Sequence, residues 1–105
     1  MSMSNARTPK TTYLATASNG SVVEFESTRT STHAVMVQSE NREGETRWGL
    51  LSTNGRYELA AKELAKWASF VARNPNQWDR TWWDGVSGVE QRFLKVELVE
   101  LTTKA

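Results

Sequence analysis

The sequence predicts an α+β fold: a two-layer sandwich in which one long helix lies across an antiparallel sheet of about five strands, in the order β-β-β-β-α-β. Three observations carry this expectation. The stretch from Arg56 to Arg73, RYELAAKELAKWASFVAR, repeats apolar side chains at steps of three and four. Four short β-patterned runs, separated by turn residues, precede it, and one longer run follows it. Connections this short join antiparallel neighbours.

In chain order, residues 1–10 are polar and read as a loose arm, which leaves 11–105 as a single domain. Thr11 to Ala17 sets Tyr13, Ala15 and Ala17 on one side of a strand, and Asn19-Gly20 marks a tight turn. Val22 to Ser27 alternates, with Val23 and Phe25 facing one way and Glu24 and Glu26 the other. Ser27 to Thr32 packs five hydroxyl residues around Arg29 and reads as a turn or a continuation of the strand. Thr32 to Ser39 is apolar on both faces at Ala34, Val35, Met36 and Val37, the mark of a central, covered strand. Glu40 to Glu45 is a charged hairpin connection with Gly44 free to take a positive φ. Thr46 to Ser52 resumes the β-pattern, with Trp48 and Leu50 on one face and Leu51 on the other.

Asn54 or Gly55 is placed to cap the helix, and Glu58 meets the positive end of its dipole. The apolar stripe is Tyr57, Ala60, Ala61, Leu64, Trp67, Ala68 and Val71. Asn74-Pro75 stops the helix, and Asn74 is also placed to cap a second, short one that sets Trp78 and Trp82 one turn apart. Asp84-Gly85 and Gly88 break it. Gln91 to Thr103 is a long strand; Leu94, Val96 and Leu98 share a face, and a bulge near Leu98-Val99 would keep Val99 and Leu101 turned to the core.

Composition narrows the function. The 105 residues carry 13 basic and 12 acidic side chains, interspersed, for a formal charge of +1. A dedicated nucleic-acid binder draws its affinity from a basic excess, which is missing here. The chain has no cysteine, so disulfides, thiolate catalysis and thiolate metal sites are excluded. MSMSNARTPK lacks the apolar core of a signal peptide, and no apolar run approaches the ~20 residues of a membrane span. The expectation is a cytoplasmic protein that does not engage a membrane.

Few residue groupings suggest chemistry. His33 is the only histidine, at a strand end; no spacing of carboxylate and hydroxyl around it forms a triad, and one imidazole with carboxylates is a poor zinc set. Glu24 and Glu26 lie about 7 Å apart on one strand face, which suits a solvated, aggregation-resistant face better than an acid–base pair. Gly85-Val86-Ser87-Gly88 lacks the Lys-Ser or Lys-Thr of a phosphate loop. No catalytic residue, cofactor site or metal site is expected, and the protein is not read as an enzyme.

The tryptophans are the conspicuous feature. Four of the five, Trp67, Trp78, Trp82 and Trp83, fall within seventeen positions. Packing accounts for them if Trp67 and one of Trp78 or Trp82 complete the core. Docking accounts for them if Arg80, Trp82, Trp83 and Asp84 anchor a protein partner, since hot spots are rich in Trp and Arg. In the short-helix reading Trp78 and Trp82 close over the helix end near Val71, and Trp83 turns to solvent. An alternative use of the sheet is single-stranded nucleic-acid binding, with Arg29, Arg42 and Arg47 at one end and Tyr13 and Trp48 as stacking platforms.

Arg29-Thr30-Ser31-Thr32-His33-Ala34-Val35, followed by Trp48, Ser52 and the Ala60-Ala61 helix, resembles small uncharacterised proteins of actinobacteria and their phages. The resemblance covers about a third of the chain, implies an origin, and carries over no catalytic residue. Together these readings give a small non-catalytic binding protein, of phage type, that docks on a host or phage protein; the alternative is a nucleic-acid-binding module using the sheet face.

Overall fold

The computed structural model describes residues 9–83 and 85–104. The arm read over residues 1–10 therefore lies, at 1–8, outside the described residues. The elements run β1 (Thr11–Thr16), β2 (Val22–Ser27), β3 (His33–Asn41), β4 (Thr46–Asn54), α1 (Tyr57–Arg73), β5 (Asp79–Trp83) and β6 (Val86–Thr103). The fold is α+β, with one helix and a six-stranded antiparallel sheet among the described residues, one strand more than expected.

The sheet is ordered β2-β1-β6-β3-β4, with β5 paired to β6 as well. The 18-residue β6 is long enough to serve three partners. Its residues 91–100 pair with β3 along one edge. Gln91 is paired with both Asn41 of β3 and Asp79 of β5, so β5 lies along the opposite edge. On that same edge β1 takes Leu101 to Thr103. Between β5 and β1 the edge has no strand partner among the described residues, and α1 fills the place. Trp67 and Phe70 meet the Phe93 ring edge-on at 6.2 and 6.3 Å, and Ala68, Val71 and Ala72 border a groove with Leu94 and Val96.

The expected alternations hold in β1 to β4. Tyr13, Ala15 and Ala17 are buried, and Tyr13 stacks on Phe25 at 5.3 Å. Ala34 to Val37 are buried in succession, because β3 has a strand on each side and is covered on both faces. Met36, Trp48, Ala15 and Ala17 form the core, with Val23, Leu50, Val99 and Leu101 around it. Edge strand β2 approaches β4 at the far edge, so the sheet curls around this cluster. Gly20 and Gly44 take the positive φ that their turns need.

Four local expectations are corrected. No second helix follows Asn74: Asp79 to Trp83 is a strand. In the β-favouring run Thr81-Trp82-Trp83, Thr81 and Trp83 pair with Val89 and Val86 of β6, a long-range gain that outweighs a local cap. Arg92 holds the intervening loop through the Pro75 carbonyl at 3.3 Å and Asn76 Oδ1 at 3.1 Å. Second, β6 is regular at Leu98-Val99; its irregularity falls at Leu94, skipped between the pairs Gln38–Lys95 and Ser39–Phe93. Third, α1 is capped at Arg56, with no side-chain cap. Gly55 precedes it because an added Cβ would stand 3.1 Å from the Thr30 carbonyl oxygen. Last, the buried side of α1 keeps Ala60, Ala61, Leu64, Trp67 and Val71 of the expected stripe but gains Phe70 and loses Tyr57 and Ala68. Ala60 is buried, Leu64, Trp67, Phe70 and Val71 are half-buried, and Tyr57 and Ala68 are exposed.

The β1–β2 turn is tied to β6 by polar contacts. The Ser18 hydroxyl donates to Glu97 Oε2 at 2.5 Å and its backbone N–H to Oε1 at 2.9 Å, with Lys95 Nζ at 4.0 Å. Partial burial pushes the Glu97 carboxyl up, but these hydrogen bonds and the lysine together outweigh it and hold it below the ordinary value. A depressed carboxylate stabilises the fold above its unfolded pKa and loses that contribution as pH falls through the folded one. The wild-type advantage over Glu97→Gln in urea midpoint should therefore be full at neutral pH and shrink below the ordinary glutamate range. An advantage independent of pH down to strong acid would contradict this linkage.

Candidate functional site

The end of the sheet formed by the β3–β4 turn, β5 and the start of β6 gathers three of the five tryptophans and, among the described residues, four of the seven arginines. Trp78, just before β5, lies against two guanidiniums, Arg42 at 3.8 Å and Arg92 at 5.2 Å from its ring centroid. Each arginine is also ion-paired: Arg42 Nε with Glu90 at 3.1 Å, and Arg92 Nη2 with Glu40 at 2.8 Å. Arg92 and Glu40 are mostly shielded, and their Nε and Nη2 contacts fall on one oxygen, Oε1. This assembly stiffens the loop that delivers β5 to β6. With two cations already against it, Trp78 is a structural ring.

Trp82 and Trp83 have opposite environments. Trp83 is 6% exposed, with the Arg47 guanidinium 5.4 Å from its ring centroid. Trp82 is 65% exposed, and Val86, near it across the hairpin, is 57% exposed. Alternation along a strand separates the two rings, so the expectation that Trp83 faces solvent and Trp82 packs is reversed. A hairpin irregularity contributes: β6 spends three steps from Val86 to Val89 where β5 spends two from Trp83 to Thr81, and Gly88 takes φ 78° in the extra residue. Arg80 is exposed on β5 and borders a second hollow of about 280 Å³ with Asn41, Arg42 and Glu90. Asp84 lies outside the described residues.

Next to Trp82 is a smaller notch of about 170 Å³, bordered by Val37, Ser39, Leu51, Gln91 and Phe93. Neither Ser39 nor Gln91 stands out in the sequence. The one available signal is that Ser39 falls on the Val35–Val37 side of a strand otherwise apolar there.

The other candidates are scattered. Arg29 precedes β3 while Arg42 and Arg47 follow it, so the three arginines do not share one end. Tyr13 and Trp48 are buried, which removes them as stacking platforms. His33 Nδ1 lies 2.8 Å from the Thr32 hydroxyl, and its ring meets Tyr57 edge-on at 5.5 Å. Glu24 pairs with Lys104 at 3.1 Å, and Glu26 is exposed. Among the described residues no group of three or more His, Asp or Glu side chains is arranged to hold a metal ion, and no helix is long and apolar enough to cross a membrane.

In comparisons with known proteins the chain matches no family model, no curated protein and no solved structure.

Proposed function

We propose that the protein is a non-catalytic binding module that docks on a protein partner through the exposed side of the β5–β6 hairpin. The observation that carries the reading is Trp82, two-thirds exposed beside Val86, on a strand whose outer edge is uncovered among the described residues. Large apolar rings held in solvent on a rigid strand are the usual anchors of interfaces, and a free edge adds main-chain hydrogen bonds to them. The Arg80 side chain has no ion pair or hydrogen bond with a described residue and is available as the polar rim. Trp83 supports the surface from beneath. In this reading the helix is the second layer of a sandwich, backing β6 and leaving β5 clear, and the partner is a host or phage protein met in the cytoplasm.

The local charge favours protein over nucleic acid. Arg42, Arg47, Arg80 and Arg92 share this end with Glu40, Glu43, Glu45, Asp79 and Glu90, so no basic face forms. Trp82→Ala should leave folding stability within about 0.5 kcal/mol of wild type and abolish capture of the partner from native-cell lysate. Undiminished capture by the variant would refute the docking role of Trp82. A salt-sensitive gel shift of oligonucleotides at micromolar protein would replace the protein partner with a nucleic acid.

A further inference from the structure

We infer that the notch beside Trp82 receives one aliphatic side chain of the partner and holds the peptide groups flanking it. This rests on the docking proposed above and names what the partner presents. At about 170 Å³ the notch is smaller than the roughly 300 Å³ at which small-molecule and cofactor sites begin. It suits a single side chain of leucine or valine size. Val37, Leu51 and Phe93 supply apolar walls, and the exposed Trp82 ring stands at the rim.

The polar lining specifies the rest. Ser39 is only 5% exposed, yet its hydroxyl makes no hydrogen bond to a described residue and is not sealed from solvent; it opens into the notch it borders. The Gln91 carboxamide borders the same space, also without a hydrogen bond to a described residue. Ser39 is buried and Gln91 half-buried, and buried polar groups are normally satisfied, so a ligand in the notch can complete both. Both are neutral, and each can donate and accept. The chemistry that satisfies both around an apolar side chain is a peptide N–H and C=O, one on either side of it. Among the described residues no carboxylate borders the notch, so it offers a lysine or arginine no counter-charge.

Gly49 offers the means of testing this. It lines the notch, and a Cβ added there would meet nothing within 4 Å, so the side chain of Gly49→Val starts into open space at the notch. The probe is N-acetyl-leucine methylamide, with N-acetyl-lysine methylamide as control, titrated into ¹⁵N-labelled protein. The leucine compound should give saturable shifts of the Trp82 indole N–H and the Ser39 and Gln91 amides. The lysine compound should not, and the shifts should vanish in Gly49→Val with its melting curve unchanged. The double variant Ser39→Ala, Gln91→Ala adds no bulk and should also lose them, which keeps the test decisive if the valine strains β4. No shift with wild type, equal shifts with lysine, or shifts retained in both variants would overturn the inference. Partner capture by Gly49→Val at wild-type strength would overturn it too, while leaving docking through Trp82 standing.

Discussion

Trp83→Ala is expected to lower stability by about 3–5 kcal/mol, the usual cost of truncating a buried tryptophan. The ring is 6% exposed near the tip of the β5–β6 hairpin, next to the Arg47 guanidinium. A hairpin alone is marginal in water, so it persists by burying a ring like this one. Removing it frees β5 from β6 and leaves Arg47 without the aromatic face it rests on. For a domain of this size each kcal/mol moves the melting temperature by about 4–8 °C, so the loss should exceed roughly 10 °C. Thermal melts of Trp83→Ala and Trp82→Ala side by side decide the matter. Equal, small shifts for both would mean that Trp83 does not anchor the hairpin.

Trp48→Ala should cost a similar amount, about 3–5 kcal/mol, because it empties the centre of the curled sheet between Met36 and Ala15. Trp48→Phe should cost far less. The Trp48 indole N–H is buried without a hydrogen-bond partner among the described residues, and such an orphan donor costs about 1–3 kcal/mol. Phenylalanine loses part of the ring but also removes that unsatisfied group, so the two changes offset. Lys95, whose ammonium lies 5.6 Å from the Trp48 ring centroid, can still extend over the smaller ring. Urea denaturation of both variants tests this; a phenylalanine variant as unstable as the alanine one would show that the indole N–H carries no penalty.

Local periodicity was enough to locate α1 and β1 to β4. A three-to-four repeat or a two-residue alternation shows in the chain itself, and the Asn19-Gly20 and Gly44 turns punctuate it. The α+β class and the central place of β3 followed from these patterns, since four apolar residues in a row need cover on both faces. The segment after Pro75 was legible only as rich in tryptophan. Its local signals favoured a helix cap, and what overrode them was β6, whose pairing partners lie on the far side of a hairpin with a positive-φ glycine.

The same non-local pairing decided the candidate site. Once β5 is a strand, Trp82 and Trp83 part, one to solvent and one to the interior, and the helical expectation for each is inverted. Ser39 and Gln91 are 52 positions apart, and either alone is an ordinary polar residue; only the register of β3 against β6, next to a bulge at Leu94, brings them to one notch. Sequence by itself determined the elements whose hydrogen bonds and apolar periods are local, and it named the tryptophans. Tertiary structure alone decided which tryptophan is exposed and which polar groups converge, because burial is a property of neighbours that the chain meets only after folding.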